Sequence, residues 1–328
     1  MRLLILAVAL MLLAACGGTS SESGGDGAKL TLVAYSTPRE VYADLTEEFA
    51  KTGPGKGVTF DESYGSSGEQ SRAVESGLPA DVVAFSLAPD IARLVDAGMV
   101  DESWADDSYD GMVTNSVVVF AVRKGNPKGI KTWDYLVKDG VEVIEPNPFT
   151  SGGARWNVMA AYGAQRKLGK THDQAVAYLG ELFKHVSVQD KSARESLQTF
   201  TGGKGDVLLA YENEAILARE KGEELDYVVP KQTILIQNPV AVVSESGNLE
   251  QARAFLAYIR SEPAQMAFGE AGYRPVVASV AGQFKYPQPP QLFTIDDLGG
   301  WDEVQQRFFD REDGIMAAIQ RDVGAALE

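Results

Sequence analysis

Strand-like and helix-like segments alternate from residue 29 onward, and this alternation limits the fold more than any single motif does. "KLTLVAYS" (29–36) has the composition of a strand that ends in polar residues. In "TPREVYADLTEEFAKTG", Pro38 suits a first helical turn, and Val41, Leu45 and Phe49 recur at i, i+4 and i+8. "VTFDESYG" predicts a second strand, and "SSGEQSRAVESG" a helix opened by Ser67 and Gly68. "ADVVAFS" predicts a third strand, followed by the helix "APDIARLVDAGMV". Strand, helix, strand in succession predicts a parallel sheet with crossover helices.

The pattern then starts again. "SVVVFAVRKG" is a β-branched strand, "KTWDYLVKDG" a short helix, "VEVIEPNP" a strand and "GARWNVMAAYGAQRKLG" a helix. "GDVLLAYENEAILAREKG" predicts a strand meeting a helix at Tyr211 and Glu212. "DYVVP" and "TILIQNPVAVVS" are further strands, and the chain is mostly helical from Asn248. The 328 residues accommodate two α/β units of about a hundred residues each, joined by a hinge. The expected hinge crossings lie near Asn115 and Asn238–Val243. They give one lobe from 29–115 plus 244–328, with the C-terminal helices folded back onto it, and a second lobe from 116–243.

"MRLLILAVALMLLAACGG" opens the chain with an Arg, an apolar run too short for a comfortable membrane span, and small residues before Cys16. It resembles a bacterial lipoprotein signal. That implies removal of residues 1–15 and lipidation of Cys16, with anchorage to the outer face of a membrane. Cys16 is the only cysteine, so no disulfide forms within the chain. Residues 16–28 are rich in Gly and Ser, the composition of a flexible tether.

The charge balance, 30 Lys+Arg against 46 Asp+Glu, argues against nucleic acid, which needs a basic face. An anion must therefore be held locally, within about 8 Å, where salt does not screen the groups that hold it. Catalytic groups are hard to find. His172 and His185 fall at helix ends and are expected to be solvated. Glu212 with Glu214, and Asp106 with Asp107, are the acidic pairs open to acid–base work; a solvated acidic surface is the expectation for both. "GGKGD" (202–206) lacks the spacing and the Ser/Thr of a phosphate-binding loop. No ligand set for a metal is present, and no cofactor is expected.

What recurs is a strand, a Ser/Gly turn and a helix. It occurs at Ser66-Ser67-Gly68, at Ser151-Gly152-Gly153 and, more weakly, at Ser192-Ala193. Ligands of parallel α/β sheets sit beyond the carboxyl ends of strands, where helix N-termini present unpaired N–H groups and partial positive charge. One such corner is no more than a helix cap. Two, one in each lobe, can close on a small anion. Arg39, Arg72, Arg155 and Arg194 are expected to form salt bridges behind the corners, with Glu69 and Arg155 facing away from the ligand.

The segments "AYSTPREVY", "SYGSSGEQSRAVESGLPADVVAFSLAPDI", "VVVFAVRKGNPKGIKTWDYLV", "VIEPNPFTSGGARWN", "GDVLLAYENEA" and "AGYRPV" together resemble the sulfate-binding proteins of bacterial ABC importers, over nearly all of the chain beyond residue 28. The resemblance implies a two-lobed, type II-like periplasmic-binding-protein fold that holds sulfate by neutral donors and delivers it to a permease driven by an ATPase. Carried over by position, the contacts fall on Ser36, Ser67, Ser151, Gly152, Gly153, Ala193 and Tyr211. The family pattern has Asp where Ser36 stands and Trp where Tyr211 stands, and one more residue between the positions of Ala193 and Tyr211. Thiosulfate or a molybdate-type oxyanion is the alternative ligand, and an exported enzyme acting on an anion, or a scaffolding lipoprotein, the alternative class. A monomer that makes and breaks no bond is expected.

Overall fold

The computed structural model describes residues 27–327. The expected signal segment, Cys16 and the tether as far as residue 26 lie outside the described residues. The first alternation forms as β1 (Lys29–Tyr35), α1 (Arg39–Phe49), β2 (Thr59–Gly65), α2 (Ser67–Glu75), β3 (Val82–Ala84) and α3 (Ala88–Asp96). β1 pairs in parallel with both β2 and β3. Successive side chains of a strand point to opposite faces. Leu30, Leu32 and Ala34 accordingly pack with Leu45 and Phe49 of α1, while Val33 packs with Ile91 and Leu94 of α3.

β4 (Met112–Arg123) leaves this lobe and enters the second. Where a short helix was expected there is only a 3-10 turn, Trp133–Tyr135. Trp133 and Leu136 are its buried anchors, and Gly140 turns the chain at a φ of 75°. β5 (Val143–Ile144) is brief because Pro146 and Pro148 supply no N–H for a ladder. There follow α4 (Gly152–Lys167), α5 (His172–Lys184), β6 (Val186–Val188), α6 (Ala193–Thr201), β7 (Val207–Tyr211), α7 (Glu212–Glu220) and β8 (Leu225–Val228). β9 (Gln232–Val242) returns to the first lobe.

The two lobes share one hydrogen-bonded path, in the order β2-β1-β3-β9-β4-β7-β5-β6. Each lobe is parallel among its short strands (β1 with β2 and β3; β5 with β6 and β7) and antiparallel where a long strand joins it. β4 and β9 pair with each other between Met112–Val117 and Leu235–Pro239. Thr114 Oγ1 donates to Asn238 Oδ1 at 3.2 Å within this pairing. Val240–Val242 pair with β3 of the first lobe.

α8 (Leu249–Ile259) and α9 (Glu262–Glu270) pack on the first lobe through Phe255 and Phe268, followed by β10 (Arg274–Pro275) and α10 (Ala278–Ala281). The remainder does not follow the expected division. β11 (Gln291–Phe293), α11 (Gly300–Phe309) and α12 (Ile315–Asp322) build onto the second lobe. β11 pairs with Gln232–Ile234 of β9. Trp301 stands edge-on to Trp156 at 4.7 Å, Phe308 to Tyr162 at 4.8 Å, and Met316 and Ala317 join the same core. α4 is buried along almost its whole length, and these C-terminal aromatics cover the face that α5 and the sheet leave open. Gly163 permits it: a Cβ there would lie 2.2 Å from the Phe293 ring. Among the described residues, no helix is long and apolar enough to cross a membrane.

Candidate anion-binding site

The Ser/Gly corners meet. α2 follows β2, α4 follows β5, α6 follows β6 and α7 follows β7, so each helix starts at the carboxyl end of a strand. Across the lobes, Gly68 N donates to Thr150 O at 3.3 Å. A Cβ on Gly152 would lie 2.6 Å from Ser86 Oγ and 2.7 Å from Leu87 Cδ2, so only glycine lets the lobes approach this closely. A Cβ on Gly153 would lie 3.2 Å from Ala193 Cβ and 3.3 Å from Tyr211 Cε2. Ser67, Ser151, Gly152, Gly153, Ala193 and Tyr211 therefore belong to one cluster. Ser36, just past β1, lines an adjoining cavity of about 360 Å³ together with Ser66, Ser192 and Arg194, a space walled by both lobes.

The backbone N–H groups of Ser67, Gly152, Gly153 and Ala193 have no hydrogen-bond partner among the described residues. They are first-turn donors of helices of 9, 16 and 9 residues, whose dipoles add positive potential at the same point. Ser151 is the N-cap of α4. Its Oγ accepts from Ala154 N at 3.3 Å, and its own hydrogen remains free to donate.

The Ser67 hydroxyl departs from the sequence expectation of a second donating serine. Its Oγ donates to the carboxylate of buried Asp90 at 2.6 Å and accepts from Ser86 N at 2.9 Å. A carboxylate only accepts, so the Ser67 hydrogen is committed there and the residue offers the cluster its backbone N–H alone. Asp90 is in turn held by Arg93 at 3.3 Å. Neither Asp90 nor Ser86 was singled out from the sequence. The signal for Asp90 was an acidic residue in the first turn of α3, which reads as an ordinary helix-start residue.

Ser86 is the residue on which the two lobes converge. Its Oγ lies 2.6 Å from Tyr211 Oη, and its carbonyl accepts from Trp156 Nε1 at 2.8 Å and Asn238 Nδ2 at 3.0 Å. Burial raises the pKa of the Tyr211 phenol well above its ordinary value, so Tyr211 stays a neutral hydroxyl able to donate.

The charged groups sort themselves around this cluster. Arg194, beside Ala193, spans the lobes. It reaches Glu40 Oε1 at 2.7 Å and Oε2 at 3.0 Å, Thr37 O at 2.9 Å, and Glu214 Oε2 at 3.0 Å and Oε1 at 2.9 Å. Burial alone would raise the pKa of Glu40, but hydrogen bonds from Arg194 and Lys221 hold it down at about 2. Glu212 and Glu214 are buried partners of Arg274 and Arg194, not a solvated surface. They were misjudged because both partners lie far along the sequence. Asp107 pairs with Arg260 at 2.5 Å. Arg39, Arg72 and Arg155 form none of the expected salt bridges among the described residues, and Arg39 lies over the Tyr64 ring at 5.0 Å. His172 and His185, at the two ends of α5, are half-buried: His172 Nδ1 bonds Tyr162 Oη at 3.0 Å, and His185 Nδ1 bonds Val141 O at 3.2 Å. No cluster of metal-binding side chains occurs among the described residues.

Residues 30–274 match the family model described as bacterial extracellular solute-binding protein. The chain is 44% identical to the sulfate-binding protein of Synechococcus elongatus over 311 residues, covering 90% of this chain and 89% of that one. It is 36% identical to a thiosulfate-binding protein of Pseudomonas aeruginosa, covering 84% and 88% of the two chains. Among solved structures, the sulfate-binding protein SubI of Mycobacterium tuberculosis superposes with a TM-score of 0.84 at 44% identity, covering 87% of this chain and all of that one.

Proposed function

Because the chain belongs to the bacterial extracellular solute-binding protein family, we propose that it captures sulfate between its two lobes and passes it to the permease of an ABC importer. The observation that carries this reading is the set of unpaired N–H groups at Ser67, Gly152, Gly153 and Ala193, gathered from both lobes. The Ser151 and Tyr211 hydroxyls and the Ser36 backbone complete the contacts. Sulfate is fully ionised at neutral pH and needs donors only. An acceptor facing it would be left unpaired, at a cost of about 1–3 kcal/mol. Of the buried carboxylates nearby, Asp90 is held by the Ser67 hydroxyl and Glu214 is paired with Arg194.

Binding draws the corners together about the Asn115–Asn238 crossing and so favours the closed form. No bond is made or broken, so the protein is a carrier and not an enzyme. It works as a monomer outside the cytoplasm, with Cys16 as its lipid anchor. Thiosulfate is the second reading, supported by the likeness to the P. aeruginosa thiosulfate-binding protein and by the same donor chemistry.

Calorimetric titration of the chain from residue 17 with sulfate, thiosulfate, molybdate and phosphate at two pH values tests this. Micromolar or tighter sulfate binding, with phosphate much weaker at neutral pH, is expected. No sulfate binding at micromolar concentration refutes the function, and equal phosphate binding refutes the donor-only site.

A further inference from the structure

A second cavity, of about 1080 Å³, lies on the seam between the lobes and adjoins the cluster of amides through Glu69 and Thr150. α2 and α3 form one wall; α4, the end of α11 and the turn that follows it form the other. Arg72, Arg93, Arg155 and Arg311 all face it. Arg93 is balanced by Asp90 at 3.3 Å and Glu75 at 3.6 Å. The other three have no carboxylate within 4.0 Å among the described residues.

Arg155 is the most telling, since only 8% of it is exposed. Its Nε donates to Pro148 O at 2.9 Å and its Nη1 to Gln305 Oε1 at 3.0 Å, both uncharged acceptors. Burial, partly offset by Asp90, and repulsion from Arg93, Arg72 and Arg311 pull its pKa down to about 10. Arg72 is pulled the same way by burial and by Arg93 and Arg311, against the opposing charges of Asp90 and Glu69. A buried charge without a counter-charge costs several kcal/mol. Among the described residues no carboxylate lies within 4.0 Å of Arg155, and Asp90 acts on it only from farther away. The carboxylates on the cavity wall are engaged elsewhere or face solvent: Glu69 accepts from Ser66 at 2.5 Å, Asp310 accepts from the Glu312 and Asp313 N–H groups at 2.8 Å, and Glu312 is exposed.

We propose that this seam is a second anion site, built for a multivalent oxyanion whose charges are several ångströms apart, of the pyrophosphate or polycarboxylate type. The cavity is too wide to enclose a single tetrahedral ion as the amide cluster does, and its cations are spread along it. Arg72 comes from the first lobe, and Arg155 and Arg311 from the second, so the site is complete only when the lobes are together. An anion seated there stabilises the closed form and strengthens binding at the amide cluster, and the reverse follows by linkage.

The test uses inorganic pyrophosphate, titrated at constant ionic strength into the protein with and without saturating sulfate. One equivalent is expected to bind, more tightly with sulfate present. In the double variant Arg72→Ala/Arg311→Ala, which leaves the buried Arg155 in place, its affinity falls at least tenfold. No pyrophosphate binding overturns the proposal, as does unchanged binding in the double variant. Weakening of sulfate binding by pyrophosphate also overturns it, because that places pyrophosphate in the amide cluster. Sulfate titrated alone reads the carrier function separately: if sulfate binds and pyrophosphate does not, only the second site falls; if pyrophosphate binds and sulfate does not, only the carrier function falls.

Discussion

Glu40→Gln isolates the contribution of lobe closure to affinity, because Glu40 clamps the lobes without belonging to the amide cluster. Its carboxylate receives both terminal nitrogens of Arg194 from the second lobe, at 2.7 and 3.0 Å, and Lys221 at 2.7 Å. Hydrogen bonds to charged groups contribute about 1.5–3 kcal/mol when well buried. The Glu40 side chain is 36% exposed, so solvent screening reduces this to about 1–2 kcal/mol for the clamp. In the proposed hinge motion these contacts break as the lobes part, so the loss falls on the closed form, and the apparent affinity falls with the closed population. Converted at 1.4 kcal/mol per decade, the expected weakening of sulfate binding is about 5- to 30-fold. Arg194→Ala is a poorer probe, since it leaves Glu214 buried without its partner and destabilises the fold itself. Calorimetry gives the affinity, and thermal unfolding without sulfate shows whether the fold is intact. A Glu40→Gln protein with wild-type unfolding and sulfate affinity within twofold of wild type refutes the clamp. The same ion pair sets a pH expectation. With the Glu40 pKa lowered to about 2, its stabilisation is fully present above its ordinary value of 4.5 and is lost as pH falls toward 2. Sulfate affinity is therefore flat from pH 5 to 8.

Three further outcomes follow. Gly152→Ala pushes a methyl group against Ser86 and Leu87, an overpacking cost of about 1–3 kcal/mol felt only on closure, so sulfate affinity falls about 5- to 150-fold while sulfate-free unfolding is unchanged. Tyr211→Phe leaves the Ser86 hydroxyl without its partner at 2.6 Å and weakens sulfate binding by about 1–3 kcal/mol, read by calorimetry. Glu145 is fully buried, with Asn157 as its hydrogen-bond donor at 3.0 Å, and burial raises its pKa well above 4.5. The folded state thus holds a proton that the unfolded state has released, and stability is lost as pH rises above 4.5. Glu145→Gln removes that loss, so the difference in melting temperature between variant and wild type grows in the variant's favour from pH 4.5 to 7.5; a pH-independent difference refutes it.

The sequence carried the local structure well because local structure has local causes. Pro38 and the Ser/Gly corners mark helix starts, Val41, Leu45 and Phe49 at i, i+4 and i+8 mark a helix face, and Tyr211-Glu212 marks the strand-to-helix turn where it occurs. The apolar runs "SVVVFAVRKG" and "TILIQNPVAVVS" were legible as strands for the same reason, and they form β4 and β9. What stayed hidden depends on partners distant in sequence. Trp301 and Phe308 seat the C-terminal helices on α4, across 145 residues or more, and no periodicity within those helices says which lobe they cover. That the Ser67 hydroxyl is taken up by Asp90 is not legible in the sequence, because Asp90 lies 23 residues away on another helix. Arg72 and Arg155 were expected to be paired, as cations of an acidic protein generally are. Their isolation is visible only in three dimensions.

The C-terminal segment has a mechanical consequence. The chain passes between the lobes in β4, in β9 and once more in residues 282–290, between α10 and β11. The first two passes lie side by side and define an axle. The third is anchored midway, where Tyr286 Oη donates to Gly269 O at 2.6 Å and to Tyr273 O at 2.7 Å. The strands that flank it pair with the axle itself, β10 with β4 and β11 with β9, so it ties the two lobes together a third time. A third tie restricts twist between the lobes, which suits a grip made of backbone amides at fixed positions.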